Sequence, residues 1–76
     1  MSGANAGLAQ ETIGQRIRRL RKARGWTQYE LAAEAEVTRY SLLRWEAGTK
    51  PQSFESFVRV ADALGVSLDE LYRGSR

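Results

Sequence analysis

The sequence predicts an all-α protein, a compact bundle of five short helices. Apolar residues recur at intervals of three and four along most of the chain, which is the spacing of one face of an α-helix. A Ser or Thr stands before each of the five periodic segments, where its side chain can cap a helix N-terminus. The single proline, Pro51, falls between two of these segments, and we predict no strand.

The first helix is predicted to begin after Thr12. Thr12 and the Gln three residues later have the spacing of a capping box, in which each side chain accepts a hydrogen bond from the other residue's amide. Ile13, Ile17 and Leu20 then form one apolar stripe flanked by arginines. Gly25 is predicted to end the helix, because glycine adopts the left-handed conformation at little cost.

The second and third helices are predicted to follow closely on one another. Thr27 opens the second helix with another capping box, and Thr38 opens the third, which Gly48 ends. The apolar face of the second helix is formed by Leu31, Ala32 and Ala35. Two short helices joined by so tight a turn cross steeply, and the small residues Ala32 and Ala35 are candidates for the place where the backbones approach.

The third helix has two different faces. Leu42, Trp45 and Glu46 point to one side of it, at helical spacing. The opposite face consists of Arg39, Tyr40, Leu43 and Arg44. We interpret Trp45 as a core residue because it shares its face with Leu42.

The fourth helix is predicted to begin after Ser53 and to end at Gly65. Its apolar face is predicted to consist of Phe54, Phe57, Val58, Ala61 and Leu64. Ser67 and the Glu three residues later predict a capping box for the fifth helix, with Val66 and Leu71 at the hydrophobic-staple positions. The 76 residues suffice for one domain with a small core. We divide them into a disordered N-terminal arm (1–11), a folded domain (12–73) and a flexible C-terminus (74–76).

Basic residues are concentrated in the first part of the chain. Residues 13–50 hold nine Lys or Arg and four Glu, whereas residues 51–76 hold three Arg and four acidic residues. This asymmetry favours a polyanionic partner on one face. The alternative is a solvated basic surface that only keeps the protein soluble.

The absence of Cys and His excludes several classes of protein. It removes disulfides, thiolate metal sites, zinc sites of the usual kind and His-dependent nucleophilic catalysis. We therefore predict a protein that is not an enzyme and that needs no cofactor or metal. No apolar run approaches the ~18 residues of a membrane span and no signal-peptide pattern is present, which predicts a cytoplasmic protein without membrane contact.

Ordered motifs run through residues 13–72. They are Ile13-Gly14-x-Arg16-Ile17-Arg18-x-Leu20-Arg21, Gly25-Trp26-Thr27-Gln28-x-Glu30-Leu31-Ala32, Val37-Thr38, Leu42, Trp45-Glu46-x-Gly48, Pro51 and Ala61-x-Ala63-Leu64-Gly65-Val66-Ser67. The chain thereby resembles the Cro/repressor-like (XRE-type) helix-turn-helix regulators of bacteria and phages. The resemblance implies a lambda-repressor-like bundle over 12–73 and a transcriptional repressor that binds double-stranded DNA sequence-specifically. It also implies a homodimer that places its recognition helices (38–47) in the major groove of a pseudo-palindromic operator.

The same resemblance assigns roles to individual residues. Base reading falls on Arg39, Tyr40, Leu43 and Arg44, since arginine matches guanine O6 and N7 and an apolar side chain can meet a thymine methyl. Contacts to DNA phosphates fall on Thr27, Gln28, Arg18, Thr49 and Lys50. Arg21 and Glu46 match a buried ion pair between the first helix and the recognition helix. Apart from the resemblance, we predict that the last helix forms the dimer interface through Leu68, Leu71 and Tyr72, because these apolar groups outnumber what one short terminal helix needs. Closure of the core is their alternative role.

Several alternatives remain open at this point. Gln28 could be a plain exposed first-turn residue, and Tyr40 could stack on sugar or phosphate instead of reading a base. Glu36 stands where the wider pattern often has Gly, and a left-handed conformation there would store roughly 1–2 kcal/mol of strain. Leu43 could mark contact with another protein. The whole chain could accordingly be an antitoxin-like or adaptor interaction module, or the excised DNA-binding domain of a larger regulator.

Overall fold

The computed structural model describes residues 11–51 and 53–74 of the chain. Within them it has five helices and no strand, so the predicted fold class is confirmed. The helices are α1 (Ile13–Ala23), α2 (Gln28–Ala35), α3 (Arg39–Glu46), α4 (Phe54–Leu64) and α5 (Leu68–Arg73). Most of the predicted N-terminal arm, residues 1–10, and the last two residues lie outside the described residues.

Each helix begins at the predicted cap. The side-chain oxygens of Thr12, Thr27, Thr38, Ser53 and Ser67 each accept a hydrogen bond from the amide three residues later. At Thr12 and Thr27 the reciprocal hydrogen bond of the capping box is also present. Gly25 and Gly65, both with φ of 74°, follow the ends of α1 and α4 in the left-handed conformation. The local chemistry of the sequence therefore sets where these helices begin and end.

The core receives one completely buried side chain from every helix. Ile17, Leu31, Leu42, Val60 and Leu71 belong to α1 to α5 in that order, and none has exposed surface. Ala32, Ala35, Trp45, Ala61 and Leu64 complete the buried cluster. The helix α2 packs against both α3 and α4. The core therefore holds α3 by one face and leaves the other face of α3 exposed.

The apolar face of α4 differs from the predicted one. Phe54 is 73% exposed, Val58 is half-buried, and Val60, which was not predicted, is completely buried. Phe57, Val60, Ala61 and Leu64 follow the i, i+3, i+4, i+7 spacing of a helix face. Phe54 is the first residue of α4 and lies one turn beyond the part of the helix that the core covers.

The turn between α2 and α3 depends on Glu36. This residue ends α2 with φ of 58° and ψ of 42°, the left-handed conformation that glycine would adopt with less strain. Its carbonyl oxygen accepts a hydrogen bond from Nη1 of Arg59 at 3.4 Å, and the amide of Val37 donates to the carbonyl of Ala32 at 3.0 Å. These contacts hold a strained residue in the turn that sets the direction of α3.

The close approach of α1 to α3 takes place at Gly14. A Cβ atom built on Gly14 would overlap the carbonyl oxygen of Trp45. Ala32 and Ala35, which were predicted for a different approach, the crossing of α2 with α3, are buried. Gly14 therefore permits a backbone contact that helical periodicity did not reveal.

A buried arginine, Arg16, joins α1 to the end of α5. Its Nη1 donates to the carbonyl oxygens of Leu71 at 2.7 Å and Tyr72 at 3.1 Å. Its Nε pairs with Glu11 at 3.2 Å, and Nε of Arg19 pairs with the same carboxylate at 2.7 Å. The hydrogen bond from Arg19 lowers the pKa of Glu11 against a partial opposing effect of burial. Glu11, which we had predicted to belong to the disordered arm, is thus anchored to α1.

Candidate nucleic-acid interface

The exposed face of α3 is the one predicted from its sequence. Arg39, Tyr40, Leu43 and Arg44 are all exposed, whereas Leu42 and Trp45 are buried. Among large apolar side chains, Leu43 is 43% and Tyr40 is 65% exposed. The face therefore combines two guanidinium groups with apolar and aromatic surface, the combination that can contact both base edges and thymine methyls in a groove.

Arg21 and Glu46 form a bidentate ion pair between α1 and the last residue of α3. Nε and Nη2 of Arg21 lie 2.8 and 2.9 Å from the two carboxylate oxygens of Glu46. The side chains are 9% and 5% exposed, and Nη1 of Arg21 also donates to the carbonyl of Trp26 at 2.9 Å. The pair neutralises a carboxylate that would otherwise be buried uncompensated and would repel a nearby polyanion.

Gln28 extends this ion pair to a third helix. Its Nε2 donates to Oε1 of Glu46 at 3.2 Å, and the residue is half-buried. The interpretation of Gln28 as a plain exposed residue is therefore wrong. Because Glu46 is itself held by Arg21, the amide group of Gln28 has a defined orientation at the N-terminus of α2.

The N-terminus of α2 can accept an anion. The Thr27 hydroxyl oxygen accepts a hydrogen bond from the amide of Glu30, while the amide of Thr27 donates to the Glu30 carboxylate at 2.7 Å. The amides of Gln28 and Tyr29 are the two in this first turn that have no acceptor within the helix. Together with the hydroxyl proton of Thr27 they offer donors at the positive end of the helix dipole.

Thr49 and Lys50 lie beside the exposed face of α3. With Tyr40, Ser41, Arg44, Trp45, Ser53 and Ser56 they line an open depression of about 290 Å³. The amide of Thr49 donates to the carbonyl of Arg44 at 2.9 Å, which holds the loop against the end of α3. Ser53 and Ser56 were not predicted at this depression, since a capping residue such as Ser53 carries no other signal in the sequence.

Each arginine of the exposed face lies against a tyrosine. Nη1 of Arg44 donates to the hydroxyl oxygen of Tyr40 at 3.2 Å. The guanidinium carbon of Arg39 lies 4.4 Å from the centroid of the Tyr29 ring. No spacing rule predicts this contact, because Tyr29 lies on α2 and Arg39 on α3.

Arg18 is exposed on α1. Residues 14, 18 and 21 share one face of a helix, and Gly14 and Arg21 both contact α3. This register places Arg18 at the side of α1 that is turned to α3.

The three predicted dimer residues differ in exposure. Leu71 is completely buried in the core of its own chain, so its assignment to an interface is wrong. Leu68 is half-buried against that core, whereas Tyr72 is exposed. Tyr72 meets Phe57 edge-to-face, with ring centroids 6.4 Å apart. A shallow depression of about 160 Å³ lies here, lined by Ile13, Lys50, Pro51, Ser53, Phe54, Phe57 and Tyr72.

Residues 11–51 and 53–74 contain no group of three or more side chains that could together hold a metal ion. None of the helices in these ranges is long and apolar enough to cross a membrane.

Comparison with known proteins gives concordant results. Residues 17–71 match the helix-turn-helix family HTH_3. The cryptic phage CTXphi transcriptional repressor RstR of Vibrio cholerae is 37% identical over 59 residues, which is 78% of this chain and 53% of that protein. The chain thus spans about half the length of this relative.

Two solved structures have the same fold. The P22 c2 repressor in complex with a synthetic operator superposes with a TM-score of 0.79, at 30% identity over 87% of this chain and 100% of that chain. The restriction-modification controller protein C.AhdI of Aeromonas hydrophila superposes with a TM-score of 0.75, at 33% identity over 88% and 98%. These likenesses confirm the predicted lambda-repressor-like bundle.

Proposed function

The chain belongs to the helix-turn-helix family HTH_3, and from this premise we propose that it is a transcriptional repressor that binds double-stranded DNA sequence-specifically. The observation that carries the proposal is the exposed face of α3, where Arg39, Tyr40, Leu43 and Arg44 project while the opposite face is buried. RstR is a transcriptional repressor, and the P22 protein is a repressor in complex with a synthetic operator. Regulators rather than enzymes are the proteins that this chain resembles.

In the proposed complex, α3 lies in the major groove. An α-helix with its side chains is about 10–12 Å across, which matches the groove width of about 12 Å. Arg39 and Arg44 would donate bidentate hydrogen bonds to guanine O6 and N7, each worth about 1–3 kcal/mol of discrimination. Leu43 would contact a thymine methyl, and Tyr40 would contact a base or the adjoining sugar.

Phosphate contacts would fix α3 in the groove. Gln28 and the free amides at the N-terminus of α2 would hold one phosphate, with Thr27 as an additional donor. Thr49 and Lys50 would hold a second phosphate beside Arg44, and Arg18 would add a contact from α1. The ion pair of Arg21 with Glu46 supports this arrangement, because it neutralises the carboxylate and orients Gln28.

The proposal includes a homodimer on a pseudo-palindromic operator, with the two recognition helices about 34 Å apart. We propose that the surface around Phe54 and Tyr72 forms the contact, since both aromatic rings are exposed beside an apolar depression. Phe54→Ser removes exposed aromatic surface without opening the core. It is expected to raise the dimer dissociation constant in analytical ultracentrifugation. An unchanged constant would exclude this surface but not DNA binding by α3.

Binding selection from a random pool of double-stranded DNA tests the proposal. The wild-type protein is expected to recover a two-fold motif, and Arg39→Ala and Arg44→Ala are each expected to relax the preference at different positions of it. Arg73→Ala is the matched control, because Arg73 is exposed on α5 and pairs with Asp69 of the same helix. Failure of the wild-type protein to recover any motif at low salt would refute the proposal.

The alternative of a protein-interaction module is favoured by one observation, the exposure of Tyr40 and Leu43 on α3. The salt dependence of binding distinguishes a DNA-binding protein from a protein-interaction module. Binding through several phosphates weakens steeply as ionic strength rises, whereas an apolar protein contact does not. Because its target is genomic or phage DNA in a bacterial cell, the proposed repressor would act in the cytoplasm.

A further inference from the structure

An arginine–tyrosine pair connects α2 to α3 outside the core. The guanidinium carbon of Arg39 lies 4.4 Å from the centroid of the Tyr29 ring, well within the range of a cation–π contact. Tyr29 is 68% exposed, so packing in the core does not explain a tyrosine at this position. The comparable pair of Arg44 and Tyr40 has both members on α3, whereas this pair joins the two helices of the helix-turn-helix.

We propose that Tyr29 is a positioning residue for Arg39 and thereby sets the preference for guanine at the base that Arg39 reads. The inference rests on the proposed function and deepens it. Tyr29 acts through Arg39, because its ring holds the guanidinium group in one orientation before DNA arrives.

A guanidinium group that lies over a tyrosine ring can still read a base. A cation–π contact uses the face of the planar group, while its five N–H donors lie in the plane and point outward at the edge. The bidentate contact to guanine O6 and N7 also uses that edge. Tyr29 and a guanine can therefore contact Arg39 at the same time.

Two physical costs explain why such a contact would matter at Arg39. Arg39 is the first residue of α3, where the positive end of the helix dipole disfavours a cation. The negative face of the Tyr29 ring offsets this repulsion. An exposed arginine also loses rotamer freedom when it binds a base, and a contact already formed in the free protein reduces that loss.

Two substitutions of Tyr29 separate positioning from direct contact. Tyr29→Phe keeps the aromatic face and removes the hydroxyl, while Tyr29→Leu keeps apolar volume and removes the aromatic face. Fluorescence anisotropy measures the dissociation constants of each variant for two DNA duplexes. One is the selected operator, and the other has a different base in place of the guanine at which Arg39→Ala relaxes the preference. Tyr29→Leu is expected to reduce the preference for guanine at that position by about two- to fivefold. Tyr29→Phe is expected to keep it.

A double-substitution cycle tests whether Tyr29 acts through Arg39. In an Arg39→Ala background, Tyr29→Leu is expected to change neither affinity nor preference any further. If Tyr29→Leu weakens both operators equally, and does so in the Arg39→Ala background as well, Tyr29 is a backbone contact and the inference is wrong. Wild-type discrimination in Tyr29→Leu would also overturn it.

The contact itself is measured in the free protein by NMR. The δ protons of Arg39 are expected to show a ring-current shift in the wild-type protein and in Tyr29→Phe, and to lose it in Tyr29→Leu. If the wild-type protein selects no DNA motif, the proposed function fails, and the inference fails with it. If the wild-type protein selects a motif and Arg39→Ala identifies the guanine that Arg39 reads, but Tyr29→Leu keeps the wild-type preference for that guanine, only the inference about Tyr29 fails.

Discussion

The side-chain amide of Gln28, the first residue of α2, donates a hydrogen bond to the carboxylate of Glu46, the last residue of α3, at 3.2 Å. The same carboxylate accepts two hydrogen bonds from Arg21 of α1. One buried acidic group therefore ties the start of α2 and the end of α3 to α1. This places the proposed phosphate-binding glutamine and the proposed reading helix in a fixed relation, which a DNA backbone of constant geometry requires.

Replacement of Glu46 tests this relation. Glu46→Ala leaves the guanidinium group of Arg21 without its carboxylate in a nearly buried site, and loss of one member of a buried pair costs about 3–5 kcal/mol. We expect a melting temperature lower by more than about 10 °C and weaker operator binding. An unchanged melting temperature would show that the ion pair is not structural.

A double substitution separates stability from DNA binding at the same site. Replacing both members of a buried pair by apolar residues is often neutral for stability. Arg21→Met with Glu46→Leu is therefore expected to recover most of the thermal stability lost in Glu46→Ala. Operator affinity should remain low, because Gln28 has lost its acceptor. Full recovery of both properties would mean that Gln28 needs no fixed orientation.

Gly14→Ala is expected to destabilise the protein. In an ordinary helix this substitution stabilises, because alanine loses less backbone entropy on folding. Here the added methyl group would overlap the carbonyl oxygen of Trp45, and such overpacking typically costs about 1–3 kcal/mol. Chemical denaturation gives the free energy of unfolding of both proteins. If Gly14→Ala is more stable than the wild-type protein, the contact between α1 and α3 is contradicted.

Glu36→Gly is expected to stabilise the protein by about 0.5–1 kcal/mol. Glycine relieves the left-handed strain at φ of 58°, although it raises the entropy of the unfolded chain. Gly65→Ala is the matched control, because Gly65 ends α4 with φ of 74° and alanine there introduces the same kind of strain. Changes of the same sign in both variants would exclude backbone strain as the cause.

Lys50→Ala is expected to weaken operator binding by a similar factor for all sequences and to leave the selected motif unchanged. Loss of one phosphate contact makes the negative slope of the logarithm of the binding constant against log salt concentration shallower by about one. Titrations at several salt concentrations measure this slope. Arg73→Ala serves as the control for net charge, since Arg73 is exposed on α5. Equal slopes in Lys50→Ala and wild-type protein would remove Lys50 from the phosphate contacts.

Glu11→Gln is expected to make stability less dependent on acid pH. The hydrogen bond from Arg19 lowers the pKa of Glu11 in the folded protein. The stabilisation it provides is complete above the pKa of an unfolded glutamate, about 4.3, and is lost as pH falls through the lowered folded pKa. The variant should therefore be less stable than wild type at neutral pH, with the difference disappearing in acid. A difference that persists at low pH would point to another cause.

Much of the candidate site could be predicted from the sequence because its parts are local. The exposed face of α3 follows from the helical spacing of residues 39–46, and the N-terminus of α2 follows from its capping box. Gln28 was predicted at that N-terminus, but its hydrogen bond to Glu46 was not. The contact of Tyr29 with Arg39 was not predicted either, because it joins two helices whose relative orientation no spacing rule provides.

The sequence by itself determined the five helices, their caps and the two faces of α3, because these depend on interactions within a few residues. The tertiary structure alone decided which apolar residues the core covers: it buried Val60 and Leu71 and left Phe54 exposed. It also decided where backbones meet, at Gly14, and which arginine is buried, Arg16. Burial depends on how the helices pack against one another, and this packing depends on contacts between residues that are far apart in the sequence.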